Sequence, residues 1–305
     1  MKIEPHDGPR TTGDISFGTG TCTACGLCAR VCPNLVIMKD GAGAMAVSPG
    51  RAHVCFACGQ CMAVCPTGSV VVRGLSYERD FFELPASGPD ERGFFDLLST
   101  RRAVRAFRDR PVPSALLERI VHAIALAPPG FPPLKTGLIV VQDPAVIRQA
   151  LPHMIDLYGK LMRAMKNPLA RFFIRREVGL QKYRLMRTHL VPLLETRMEG
   201  LRAGTEDTIT RGAPAMILFH ASRTAEDAHE DLFIAAAYGS LAAHALGLGG
   251  SIMSIIPPAV DRTPALRELF KVPDGHEVVT SLILGYPAVK YRRGIKRELK
   301  SVAWI

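Results

Sequence analysis

No cysteine stands outside residues 22–65, and the eight cysteines there form two complete runs with none left over. Residues 1–8 hold neither an apolar signal core nor a twin arginine, so nothing there directs export and the expected compartment is the cytoplasm. No Gly-x-Gly-x-x-Gly fingerprint occurs, which argues against a dedicated nicotinamide-binding domain. Asp, Glu, Lys and Arg are all absent from residues 233–256, a stretch long enough to cross a bilayer. Gly247, Gly249 and Gly250 interrupt it, however, and His244 lies inside it. A buried helix followed by a buried strand is therefore expected, with no membrane span.

The cysteine runs read Cys22-Thr-Ala-Cys25-Gly-Leu-Cys28-Ala-Arg-Val-Cys32-Pro33 and Cys55-Phe-Ala-Cys58-Gly-Gln-Cys61-Met-Ala-Val-Cys65-Pro66. Both have the form C-x2-C-x2-C-x3-C-P. Three thiolates at this spacing on a tight loop reach three corners of one iron–sulfur cube, and the fourth cysteine completes the cube of the other run. Cys22, Cys25, Cys28 and Cys65 are thus assigned to one 4Fe–4S cluster. Cys55, Cys58, Cys61 and Cys32 are assigned to the second. Disulfides need an oxidising compartment, and structural zinc prefers two separated ligand pairs. These residues resemble the bacterial two-cluster ferredoxins. The resemblance covers about the first quarter of the chain and implies a small pseudo-twofold module that carries electrons singly.

At 305 residues, 48% of them apolar, the chain is long enough for two domains with a real core. Lys and Arg number 38 and Asp and Glu 28, a formal charge of +10. Each oxidised cluster with its thiolates carries about −2, which brings the loaded protein to about +6. The excess lies mostly after the cysteines and suits an acidic electron-donor protein or an anionic cofactor. No reading motif for nucleic acid accompanies it.

Residues 1–83 are expected to form the two-cluster domain, with a hairpin at 35–47 and a closing strand at 70–72. Residues 84–92 are a linker by composition. The second domain spans 93–305 and alternates helices with buried strands at 138–141, 214–219 and 278–284. A helical insert, 144–204, is cut by Pro152, Pro168, Gly179 and Pro192. Without strict βαβ spacing, this pattern indicates an α+β layer structure.

Four motifs in the second domain resemble the nitroreductase-like flavoprotein family. They are Arg101-Arg-Ala-Val-Arg105-Ala-Phe107, Ala127-Pro128, Gly247-Leu-Gly249 and Gly285-Tyr-Pro287. The resemblance implies a three-layer α/β/α flavin domain that binds FMN at a homodimer interface. By the match, Arg101, Arg102 and Arg293 would hold the FMN phosphate, where guanidinium forks suit the oxyanion. Arg105 would lie near flavin N1 and O2, and backbone groups at Ser251, Met253 and Ser254 would face the ring edge. Two departures stand out. Ala103 replaces the family's usual serine, and residues 129–134 replace a stretch that normally lies near flavin and substrate.

The reading that follows is an iron–sulfur flavoprotein oxidoreductase of nitroreductase type. Its two 4Fe–4S clusters would relay single electrons from a ferredoxin- or flavodoxin-like donor to FMN, for hydride transfer to a small organic acceptor of nitro, quinone or enone type. The rivals are a pure electron carrier, or another reaction of the same fold such as reductive dehalogenation. No catalytic residue is assigned. Tyr158, Tyr183 and His189 in the insert are candidate proton donors, and Trp304 is expected to anchor the tail.

Overall fold

The structure is a computed structural model that describes residues 14–86, 88, 90–130 and 135–305. The chain divides into two compact units, Met1–Pro89 and Asp90–Pro128 with Lys135–Ile305. The stretch at 1–13 and most of the replaced stretch, 131–134, lie outside the described residues.

The first unit repeats itself. Strand β1 (Ile15–Phe17) precedes helix α1 (Leu27–Arg30), and strands β2 (Ile37–Lys39) and β3 (Met45–Val47) form the expected hairpin. Asp40 closes that hairpin by accepting from the N–H groups of Ala42 and Ala44, each at 2.9 Å. Helix α2 (Gln60–Ala63), strand β4 (Val70–Val72) and helix α3 (Tyr77–Asp80) follow, and β4 pairs antiparallel with β1. The two halves match in backbone as well as sequence. Ala24 and Gly26 have φ of 52° and 82°, and Ala57 and Gly59 have 52° and 77°. Such left-handed turns are rare for alanine, so each cysteine loop is wound under constraint.

The second unit opens with α4 (Glu91–Thr100), whose N-cap Asp90 accepts from Gly93 N, and α5 (Ser114–Ala125). After β5 (Thr136–Val141) comes the insert: α6 (Pro144–Lys166), α7 (Pro168–Val178), α8 (Leu180–Leu185) and α9 (Val191–Ala203). The chain then runs through β6 (Ala215–Ser222), α10 (Ala228–Ala245), β7 (Gly249–Ile252), α11 (Ile256–Arg262), α12 (Pro264–Leu269) and β8 (His276–Gly285). The sheet order is β5-β6-β8-β7, every neighbour antiparallel.

Strand alternation builds two cores. Ala215, Ile217, Phe219 and Ala221 of β6 pack with α5 and α10 on one face. Met216 and Leu218 pack with α6, α9, α11 and α12 on the other. A strand buried on both faces reads as a continuous apolar run. The architecture is α+β in three layers.

Two local expectations change. Pro152 does not cut the insert; α6 runs through it, because Pro152 lies on the exposed side and its lost hydrogen bond faces water. Helix α10 buries only one face within the chain. Ala235, Ala236, Gly239 and Ala243 are buried, whereas Phe233, Ile234 and Tyr238 are exposed. A Cβ on Gly239 would come 2.9 Å from Ile124. The small residues therefore serve the close contact with α5.

The register of β6 and β8 shifts between Phe219 and His220, and there His220 Nδ1 lies 2.9 Å from His276 Nδ1. Burial, then the charge of His276, lowers the His220 pKa from 6.5 to about 4. Unfolding therefore takes up a proton that the folded ring refuses. This contribution to stability is complete above pH 6.5 and is lost as pH falls through about 4. Urea midpoints measured across that window should fall with pH more steeply in the wild type than in His220→Gln; parallel curves would show that His220 titrates normally.

Candidate functional site

In the first unit, Cys22, Cys25, Cys28 and Cys65 line one small cavity of about 20 Å³. Phe17, Leu27, Met45 and Val70 supply its apolar walls. The structure thus brings one cysteine of the second run to three of the first. Burial, and then the neighbouring charges of Cys58, Cys55 and Cys32, push the Cys61 thiol up to about 12, so Cys32 in turn stands with the second run. Each crossing cysteine accepts an N–H from the residue four places on: Val36 N to Cys32 Sγ at 3.2 Å and Ser69 N to Cys65 Sγ at 3.3 Å. Burial raises the Cys65 pKa, but hydrogen bonds from Val70, Thr67 and Ser69 outweigh it and bring it to about 7. Among the described residues no three such ligands converge on a single ion. The sulfurs surround a space, as ligands of a polynuclear cluster do.

In the second unit, the chain after α4 runs extended along the sheet edge. Val104 N donates to Gly250 O at 3.0 Å, and Ala103 bridges Gly250 of β7. Farther on, Arg108 N donates to Tyr286 O at 2.8 Å, and Phe107 bridges Pro287. Two glycines allow this approach. A Cβ on Gly249 would meet Val104 at 2.5 Å, and one on Gly285 would meet Pro214 at 2.7 Å and Phe107 at 2.8 Å. Three of the four sequence motifs are thereby gathered at one edge. Ala127 and Pro128 stand apart, at the end of α5.

A basic cleft of about 380 Å³ opens beside this seam. Thr100, Arg102, Arg108, His244, Lys290 and Tyr291 line it. Arg102 donates to Arg101 O and Ser99 O, each at 2.7 Å, and so caps the C-terminal carbonyls of α4. Its Nε is buried with no partner among the described residues. Arg108 Nε donates to Pro287 O at 3.0 Å. Thr100 Oγ1 and His244 Nε2 are 2.9 Å apart. Burial, then the charges of Arg101 and Arg102, lower the His244 pKa. Both effects favour the neutral imidazole over the charged one.

The sequence candidates divide as follows. Arg101 and Arg102 both act on His244 at the cleft. Arg293 is exposed in the tail, next to Gly294, whose Cβ would come 2.9 Å from Arg102 Nη2. Ser251 and Met253 are buried, and Ser254 is exposed after β7. Ser251 Oγ has no hydrogen-bond partner among the described residues. Arg105 is exposed, away from the cleft lining. Among the insert candidates, Tyr158 is buried and donates to Ile255 O, and burial raises its pKa. Tyr183 accepts from Arg171 Nε at 2.9 Å. Trp304 is 95% exposed and does not pack the tail onto the described residues. Sequence reading missed Thr100, Arg108, His244, Lys290 and Tyr291. Each lies within a few residues of a motif that was recognised, and that adjacency was the available signal.

A cavity ringed by thiols, together with a layered α+β unit bearing a basic cleft at its sheet edge, defines a two-part protein built for anionic and sulfur-ligated groups. The nitroreductase family model matches residues 98–286, and the 4Fe–4S dicluster domain model matches residues 5–69. The chain belongs to the nitroreductase family; it is an oxidoreductase enzyme with an iron–sulfur domain ahead of its family domain. A protein of Methanothermobacter thermautotrophicus, named as an NADH dehydrogenase/NAD(P)H nitroreductase, is 25% identical over 194 residues, 63% of this chain and 76% of that protein. The fold is shared with a nitroreductase with bound FMN from Bacteroides fragilis, at a TM-score of 0.53 and 19% identity, over 71% of this chain and 99% of that one. A nitroreductase with bound FMN from Desulfitobacterium hafniense gives 0.52 and 17%, over 69% and 97%. Among the described residues no helix is long and apolar enough to cross a membrane.

The seam between Val104 and Gly249 is open to direct test. Gly249→Val would overfill it and should cost about 1–3 kcal/mol of stability. Chemical denaturation reads this, and an unchanged midpoint would mean that the segment after α4 is not held against β7.

Proposed function

We propose that this protein is an iron–sulfur flavoprotein that takes electrons from a ferredoxin- or flavodoxin-like donor and reduces a small organic acceptor of nitro, quinone or enone type. The observation that carries the reading is the meeting of Cys65 with Cys22, Cys25 and Cys28 around one cavity. It supports two 4Fe–4S clusters held in the crossed pattern, the second by Cys55, Cys58, Cys61 and Cys32. The basic cleft supports FMN. Its phosphate suits Arg101, Arg102 and Arg293, and the orphaned Arg102 Nε and Ser251 Oγ are donors that a polar ligand could satisfy. When bound, the clusters supply one-electron transfer and FMN couples it to two-electron chemistry.

The residues do the rest. The cysteine loops hold thiolates whose N–H partners stabilise their charge. Arg105 places a cation where it favours negative charge on the ring at N1 and O2. Ser251 on the edge strand, with Met253 and Ser254 just after it, would line the ring edge. Joining both units in one chain raises the effective concentration of one for the other.

A homodimer belongs to this reading. Helix α10 packs chiefly against α5 and the sheet, and Phe233, Ile234 and Tyr238 are exposed in the single chain. A second copy related by a twofold axis would cover it.

Protein purified without oxygen should contain about eight irons and eight acid-labile sulfides per chain, with FMN bound. In Cys32→Ser the cluster held by Cys55, Cys58 and Cys61 should be the one damaged, as read by its electron paramagnetic resonance signal. Loss of the other cluster alone would refute the crossing.

Light scattering should give twice the chain mass, and Ile234→Glu should both halve that mass and release FMN. A monomer that retains FMN would refute the shared interface.

A further inference from the structure

His244 lines the basic cleft but has no task there so far. It stands in the last turn of α10, within a stretch, 233–256, that holds no Asp, Glu, Lys or Arg. Its tautomer follows from its neighbour. The Thr100 hydroxyl donates to Asp96 O at 2.6 Å, so its one proton is spent. The 2.9 Å contact with His244 Nε2 must then run the other way, with Nε2–H donating to the Thr100 oxygen. Nδ1 is left as the bare nitrogen, and it forms no hydrogen bond among the described residues.

The charges that face this ring are of one sign. Arg101 and Arg102, just past α4, act on it directly. Arg108 reaches the cleft from the extended segment and Lys290 from the tail, where Tyr291 adds a phenol. No other side chain of α10 lines the cleft, and no carboxylate does so among the described residues. The Asp96 carboxylate is turned to Arg92 at 3.9 Å. An imidazole among cations stays neutral, because a further positive charge is repelled. A dianion in the cleft reverses that balance. It offsets the guanidinium charges, and as a close opposite charge it favours the imidazolium. The C-terminal end of α10 favours a cation as well. Nδ1 can then take up a proton and donate it to an anionic oxygen in a charge-assisted bond.

We infer that His244 is a ligand of the phosphate group, neutral before the phosphate arrives and protonated once it is bound. The inference rests on the reading of the cleft as the FMN phosphate site. It makes flavin binding a proton-coupled event. One proton passes from solvent to Nδ1 for each phosphate that enters, and it returns to solvent when the phosphate leaves.

The test uses the full-length chain, kept anoxic with its clusters intact and stripped of flavin. FMN, and riboflavin as the analogue without phosphate, are titrated by quenching of flavin fluorescence between about pH 8 and about pH 6.5, where the phosphate is mostly dianionic. Proton uptake on binding makes affinity rise as pH falls, so the wild-type Kd for FMN should drop about fivefold across that window. His244→Gln keeps a donor for Thr100 but cannot charge, and its Kd for FMN should move by less than about twofold. Riboflavin should bind both proteins alike at every pH, which also shows that the variant is folded at the ring. Calorimetry in two buffers of different ionisation enthalpy should show proton uptake when FMN binds the wild type, and none with His244→Gln. A wild-type FMN affinity that is flat across the window overturns the inference, and so does a pH dependence that survives in His244→Gln. In either case FMN binding tighter than riboflavin keeps the phosphate reading. Equal wild-type affinities for FMN and riboflavin overturn both, since the cleft then holds no phosphate.

Discussion

The second unit depends on one close approach: an extended arginine-rich segment pressed onto two glycines. Val104 fills the space above Gly249, and Phe107 fills the space above Gly285. Because those positions lack a Cβ, the segment can reach hydrogen-bonding distance of Gly250 and Tyr286. The arginines at 101, 102, 105 and 108 are then carried to the sheet edge by backbone geometry, whatever their own side chains prefer. A cation placed by a strand edge loses less freedom on meeting an anion than one on a loop, and such pre-organisation is what a binding site needs. Gly249 and Gly285 are occupied by protein, so at these positions the demand for glycine comes from the fold.

The first unit solves a related problem in another way. Its core is small, and Cys28 and Cys61 are themselves among its buried residues. Short strands and four-residue helices cannot fix eight cysteines by themselves. The left-handed residues at matching places in both loops do part of that work, and the N–H bonds to Cys32 and Cys65 do another part. The remainder would come from cluster ligation, which couples metal binding to folding.

What was legible in the sequence follows from which constraints are local. Cysteine spacing is set by ligand geometry, so both runs could be read directly. Strands β6 and β8 announce themselves as apolar runs because both their faces are buried. The α5–α10 packing was hidden, since nothing near Gly239 in sequence mentions Ile124. Pro152 misled because its cost depends on which side of α6 meets water.

Charge and apolar surface are left unbalanced in the same unit, and they bear on one another. The exposed tail carries Val289, Tyr291, Ile295, Leu299, Val302 and Trp304, and α10 carries Phe233, Ile234 and Tyr238. Apolar groups on that scale are costly to leave in water. A chain that covered them with a second copy would also bring down the effective dielectric around the cleft, which His244 of α10 and Tyr291 of the tail help to line. Each guanidinium there would then bind an oxyanion more strongly than it could on an open surface. Assembly and anion recognition would in that case be one event: the apolar face supplies the association energy, and association supplies the dry surroundings in which a few arginines can select a charged ligand.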